Sequence, residues 1–205
     1  MHTEGLLAKY QLISDQVNKD QLGVILSELE RVLSAGTEGA VVEFGCYIGT
    51  TSLFIRRLLD AHHEDREFHV YDSFAGLPEK TAQDGSRAGE QFVAGELAVS
   101  KKQFLHEFQR ARLHPPIIHK GWFSELTPQD VPEQIGFAFL DGDFYESIKD
   151  SLRLVLPRLV PHGVVIFDDY AREALPGVAK AAKELLPPQL YQAIRTSHNL
   201  GILRT

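Results

Sequence analysis

The chain reads as an α/β fold: a doubly wound, mostly parallel seven-stranded sheet with helices on both faces and an antiparallel C-terminal hairpin. Three observations predict it. Short apolar runs bounded by glycine or charge alternate with stretches of helical apolar spacing, the pattern of parallel strands joined by crossover helices. Two of those runs, residues 135–140 and 163–167, close on acidic clusters, Asp141-Gly142-Asp143 and Asp168-Asp169. A third, residues 40–44, closes on a glycine turn that opens a helix, Gly45-Cys46-Tyr47-Ile48-Gly49-Thr50-Thr51.

In chain order, helical spacing predicts N-terminal helices over residues 6–17 and 21–34, the latter with a stripe of Leu22, Val24, Ile25, Leu29 and Leu33. The first strand follows at 40–44, then a helix over 50–61 and a second strand over 67–72. Residues 73–100 are long, mixed and glycine-bearing, which predicts a lid or cofactor loop. A helix over 101–112 and a third strand over 115–119 come next, with Gly121-Trp122-Phe123 opening a turn. The strand before Asp141 leads to a helix over 145–159, ended by Pro157 and Pro161. The strand before Asp168 leads to a helix over 176–186, stopped at Pro187-Pro188. Runs at 190–195 and 200–204 around Ser197-His198-Asn199 predict the closing hairpin.

Composition bounds the function. A chain of 205 residues with no internal linker suits one domain over 1–205, with 1–36 as N-terminal helices. The net charge of −7 argues against nucleic acid and anionic membrane, which need clustered Lys and Arg. Apolar runs are too short to span a bilayer, and the first residues lack a signal-peptide pattern. Cys46 is the lone cysteine, which excludes an internal disulfide and fits a reducing cytoplasm.

Parallel neighbouring strands would bring the two acidic clusters side by side, about 4.8 Å apart. Carboxylates so crowded raise one another's pKa unless a cation sits among them. A hard divalent metal is therefore expected at the rim where open α/β sheets bind ligands. The glycine turn has the spacing Glu-x-Gly-x-x-x-Gly, from Glu43 through Gly45 to Gly49. That is neither the dinucleotide fingerprint nor a P-loop, which disfavours a nicotinamide oxidoreductase. Asp72 ends the next strand, where a carboxylate can accept ribose hydroxyls. Together these features fit an adenosyl ligand with an amino-acid tail, S-adenosylmethionine, with Glu43 near its amine and Thr50 or Thr51 near its carboxylate.

The bland readings stand beside these. Asp168-Asp169 is also a turn and cap pair, and Asp143 a helix N-cap. Trp122 and Tyr47 suit packing as well as ligand contact. His119 reads as a hydrogen-bonded histidine, His198 as a solvated loop residue and Cys46 as a packing residue. His62-His63 reads as a pair complementing a helix end, not a metal site.

Four blocks carry a resemblance: Val42–Gly49, the Asp-Ser-Phe-Ala-Gly-Leu-Pro run around Asp72, Lys120–Phe123 with Leu140-Asp-Gly-Asp-Phe-Tyr-Glu-Ser147, and Val165–Tyr170 with Pro176–Lys180. On these the chain resembles the macrocin O-methyltransferase family, and more distantly the catechol O-methyltransferases. The resemblance implies a Rossmann-like class I methyltransferase fold that uses S-adenosylmethionine and Mg²⁺. It implies Asp141, Asp168 and Asp169 as metal ligands, Asp141 as base, Asp72 on the ribose, Ser73 and Phe74 on the adenine side, and Gly121 and Trp122 bordering the adenine. It implies a small-molecule hydroxyl acceptor, such as a natural-product sugar or vicinal diol, and homodimers or larger homo-oligomers. Two departures matter. The N-terminal segment is shorter than in relatives acting on large antibiotics, so acceptor identity does not carry over. The lysine base that catechol enzymes place after their first metal-binding aspartate is absent from that slot. A non-catalytic adenosyl-binding protein is the competing class, distinguished by cofactor binding without a metal site.

Overall fold

Seven strands in the order β3-β2-β1-β4-β5-β7-β6 make one sheet. A computed structural model describes residues 2–205. The strands are β1 (Ala40–Phe44), β2 (Phe68–Asp72), β3 (Ile117–Lys120), β4 (Ile135–Leu140), β5 (Leu159–Phe167), β6 (Arg195–Ser197) and β7 (Leu200–Arg204). The helices are α1 (His2–Lys9), α2 (Lys19–Ser34), α3 (Thr50–Ala61), α4 (Lys101–Ala111), α5 (Tyr145–Val155), α6 (Gly177–Leu185) and α7 (Pro188–Ala193). The first five strands run parallel, and β7 pairs antiparallel with both β5 and β6. No described helix is long and apolar enough to cross a membrane.

Alternate strand residues feed two cores, as period-two side-chain geometry requires. Val41, Val70, Phe137, Phe139, Val164 and Ile166 pack with α2, α3 and α4. Val42, Phe44, Tyr71, Ala138, Leu140 and Phe167 pack with α5 and α6. Being covered on both faces explains why the strands read as continuous apolar runs. The strand order reverses between β1 and β4, which creates a crevice at the carboxyl ends of those two strands.

Several boundaries differ from expectation, each for a local reason. The first helix covers residues 2–9, not 6–17, and residues 10–18 are irregular. Asn18 ends that stretch as the N-cap of α2: its side chain accepts from the Asp20 and Gln21 N–H groups at 3.0 and 2.9 Å, and Gln21 returns a bond to the Asn18 N–H. The strand expected at 190–195 is mostly α7, with Pro188 in its first turn, where a missing N–H is harmless. Only three residues, Arg195–Ser197, extend as strand before His198 and Asn199 turn the chain with φ of 49° and 68°, the signature of a two-residue hairpin turn. Strand β5 begins earlier than expected and holds Pro161, tolerated because its pairing with β4 shifts register between Ile135 and Phe137. Asp143 is not a helix cap; Phe144 holds that position with no side-chain bond.

Residues 73–100 are ordered by specific bonds. Asp84, buried, accepts from the Thr81 N–H at 2.9 Å and from the Tyr145 N–H at 2.7 Å. It thus caps α5 from a distant loop. The Gly177 Cα lies so close that a Cβ there would sit 2.0 Å from the Asp84 carboxylate. Ser86 Oγ donates to the Glu173 carbonyl at 2.8 Å. The segment is therefore docked onto α5 and the start of α6.

Candidate active site

The crevice at the strand reversal is a cleft that encloses about 100 Å³. Its walls come from the turn after β1, the end of β2, the loop 73–100, the turn after β3 and the acidic ends of β4 and β5.

The turn after β1 is shaped by close backbone approach. Gly45 has φ of 89°, and a Cβ there would lie 1.9 Å from the Asp141 carbonyl oxygen. Only glycine lets β1 and β4 end in such contact. Gly49, with φ of 96°, starts α3 against the Phe104 ring. The Asp72 carboxylate fastens this turn to β2: it accepts from the Cys46 N–H at 2.8 Å, the Tyr47 N–H at 3.3 Å and the Phe74 N–H at 2.7 Å.

Of the expected cofactor residues, Gly45, Tyr47, Asp72, Ser73, Trp122 and Asp141 line the cleft. The others lie behind it. Glu43 is buried beneath the turn and accepts from Ser52 Oγ at 2.5 Å. Burial, reinforced by the nearby Asp72 charge, pushes its pKa to about 8 against the Ser52 bond. Thr50 and Thr51 are buried at the start of α3, where Thr50 shares a 2.7 Å hydroxyl bond with Ser14. Phe74 packs edge-on to Phe104 at 6.0 Å between centroids. Gly121 donates its N–H to the Asp72 carbonyl at 3.0 Å.

The acidic rim gathers Asp141, Asp143, Asp168 and Asp169, all four lining the cleft. Burial and then Asp168 raise the Asp141 pKa strongly. Burial and then Asp169 raise Asp143 and Asp168. One oxygen of Asp168, Oδ1, is buried with no hydrogen-bond partner. Asp169 differs: both its oxygens accept from Arg172, at 2.9 and 3.2 Å, opposing the upward pull of burial. Asp141, Asp168 and Asp169 accordingly form no group whose ligand atoms all lie within 4.8 Å of one another. Asp141, Asp168 and Asp169 all line this rim, and both oxygens of Asp169 are engaged by Arg172. The residues fit a hard cation: oxygen donors only, an excess of negative charge, and an orphaned buried oxygen.

Sequence reading missed parts of the cleft. Phe92 and Leu97 come from the long loop, Arg172 from the turn after β5, and Gln16 from the irregular segment before α2. Arg172 carries one weak signal, its position three residues after Asp169. Phe92, Leu97 and Gln16 carry none, because loop conformation brings them in. Asp143, read both as a member of the acidic cluster and as a helix cap, lines the cleft with the other carboxylates.

The family model described as macrocin O-methyltransferase (TylF) matches residues 12–188. A relative from Streptomyces olivaceus, 8-demethyl-8-(2,3-dimethoxy-alpha-L-rhamnosyl)-tetracenomycin-C 4'-O-methyltransferase, is 38% identical over 71% of this chain and 58% of its own length. Mycinamicin III 3''-O-methyltransferase from Micromonospora griseorubida is 32% identical over 76% of this chain and 63% of its own. The chain thus spans about three fifths of the length of these relatives. The solved structure of the O-methyltransferase NovP matches with a TM-score of 0.77 at 27% identity, over 92% of this chain and 80% of that one.

Proposed function

The chain belongs to the macrocin O-methyltransferase family, and from that premise we propose that it methylates a sugar hydroxyl of a natural product, using S-adenosylmethionine and Mg²⁺. The observation that carries this reading is the acidic rim with its orphaned Asp168 oxygen, facing the same cleft as the glycine turn and Asp72. The sugar as acceptor rests on the relatives, whose names specify O-methylation of a rhamnosyl tetracenomycin and of mycinamicin III.

Asp141, Asp168 and Asp169 would hold the cation, with Asp143 adding charge beside them. When bound, S-adenosylmethionine supplies an electrophilic methyl group, and the cation lowers the proton affinity of a nearby hydroxyl. Asp141 would serve as the base that takes the acceptor's hydroxyl proton. Asp72 would receive the ribose hydroxyls on the lone pairs its three backbone donors leave. Trp122 and Ser73 border the adenosyl group, and Tyr47 flanks the methionine portion. Phe92 and Leu97 close the cleft from the loop, excluding water from the reacting oxygen. The same reading takes the chain as one cytoplasmic domain that associates as homodimers or larger assemblies.

The test uses Trp122, the only tryptophan, which lines the cleft and is 37% exposed. Asp141→Asn should lower turnover by about 10²–10⁴-fold, the usual contribution of a general base. Cofactor affinity, read from Trp122 fluorescence, should stay within about threefold, since the change removes one acceptor among many. Chelation should abolish activity and Mg²⁺ restore it. Turnover at the wild-type rate in the variant, or in the presence of chelator, would refute the mechanism.

A further inference from the structure

We propose a second metal site, for a borderline-soft divalent ion of the Zn²⁺ type, formed by His2, Glu30 and His62 at the end of α3 opposite the glycine turn. The three come from α1, α2 and the end of α3. Their ligand atoms all lie within 4.8 Å of one another. The two imidazole rings are 4.6 Å apart between centroids. His62 Nε2 lies 3.7 Å from Glu30 Oε1, beyond hydrogen-bonding reach, and is buried with no hydrogen-bond partner. A buried ring nitrogen without a partner needs an explanation, and an ion supplies one.

The chemistry selects the ion. Two imidazole nitrogens and one carboxylate suit zinc and its neighbours, with water in a fourth tetrahedral position. The rim is all oxygen and suits a hard ion. The two sites should therefore discriminate between Zn²⁺ and Mg²⁺. Glu30 is held in place before any ion arrives, because it accepts from the His2 N–H at 2.8 Å and from the Thr3 hydroxyl at 2.7 Å. His62 is fixed as the C-cap of α3. His2 is exposed, so its ring can turn toward an ion without repacking the core.

The consequence is a clamp. An ion here fastens α1 to α2 and α3, and α1 leads into the irregular segment whose Ser14 bonds Thr50 and whose Gln16 lines the cleft. Metal on this face would steady one wall of the cofactor cleft.

Calorimetric titration of the full chain with Zn²⁺, in saturating Mg²⁺, tests the assignment. One Zn²⁺ should bind, raising the melting temperature. His62→Ala and, separately, His2→Gln should each weaken that binding at least tenfold, while Asp141→Asn leaves it unchanged. His2→Gln alters an exposed side chain, so it keeps the test valid if His62→Ala folds poorly. Substituting Co²⁺ should give the intense visible absorption of a tetrahedral centre. Absence of Zn²⁺ binding, binding indifferent to both histidine changes, or binding lost in Asp141→Asn would each overturn the proposal.

Discussion

Glu43 and Arg172 show how single side chains set charge around the cleft. Glu43 sits beneath the glycine turn with its pKa raised to about 8 by burial. A raised carboxyl favours the fold while protonated: its contribution is complete below the unfolded value near 4.5 and is lost as pH rises through about 8. Glu43→Gln keeps an acceptor for Ser52 and removes the titration. Each pKa unit is about 1.4 kcal/mol, so the variant should gain on wild type by more than about 1.4 kcal/mol between about pH 5 and about pH 9. Urea denaturation at both values measures this, and a constant difference would mean that Glu43 is ionised in the fold. Arg172 holds Asp169 by both oxygens, in direct competition with a cation at the rim. Arg172→Ala should tighten Mg²⁺ binding by roughly three- to tenfold, a discounted figure because the arginine is partly exposed. Calorimetry reads it directly, and weaker binding would show that Arg172 assists the ion. The Glu43 shift is not legible in sequence, since Asp72 and Ser52 come from other elements, whereas the Arg172 pairing leaves only its three-residue spacing from Asp169.

Elements end where they do because other elements reach them. Helix α5 has no cap of its own, and Asp84 supplies one from a residue 61 positions earlier. Asp84→Ala should cost about 1–2 kcal/mol for the lost cap. It should also raise KM more than it lowers kcat, because the loop it anchors lines the cleft while Asp141 stays in place. A fall in kcat alone would assign Asp84 to the chemistry. The glycine turn shows the same dependence between strands. Gly45→Ala meets the Asp141 carbonyl at 1.9 Å in a positive-φ conformation, so it should cost about 2–4 kcal/mol and abolish cofactor binding. The spacing of Glu43, Gly45 and Gly49 announces a ligand turn. It does not reveal that Gly45 exists to admit the backbone of β4.

Across the whole molecule, the N- and C-terminal regions are tied together. Arg204 of β7 donates to buried Glu28 of α2 at 2.9 Å, across 176 residues. Glu28→Ala should destabilise the fold by about 1–3 kcal/mol, the range for hydrogen bonds to a charged group with one partner exposed. Thermal denaturation measures it, and no change would show the tie to be idle. The strand reversal between β1 and β4 and the docked loop 73–100 together build the cleft.

Sequence by itself determined the five parallel strands as continuous apolar runs, the glycine turn, Asp72, and the acidic ends of β4 and β5. These are local signals: unbroken apolar runs buried on both faces, a conformation that favours glycine, and charge that closes an apolar run. Tertiary structure decided the rest. It turned residues 190–193 into helix, set Glu43 under the turn, brought Asp84 to the start of α5, and brought His2 beside His62. Those outcomes depend on which distant chain segments meet, and no periodicity within a segment encodes its neighbours.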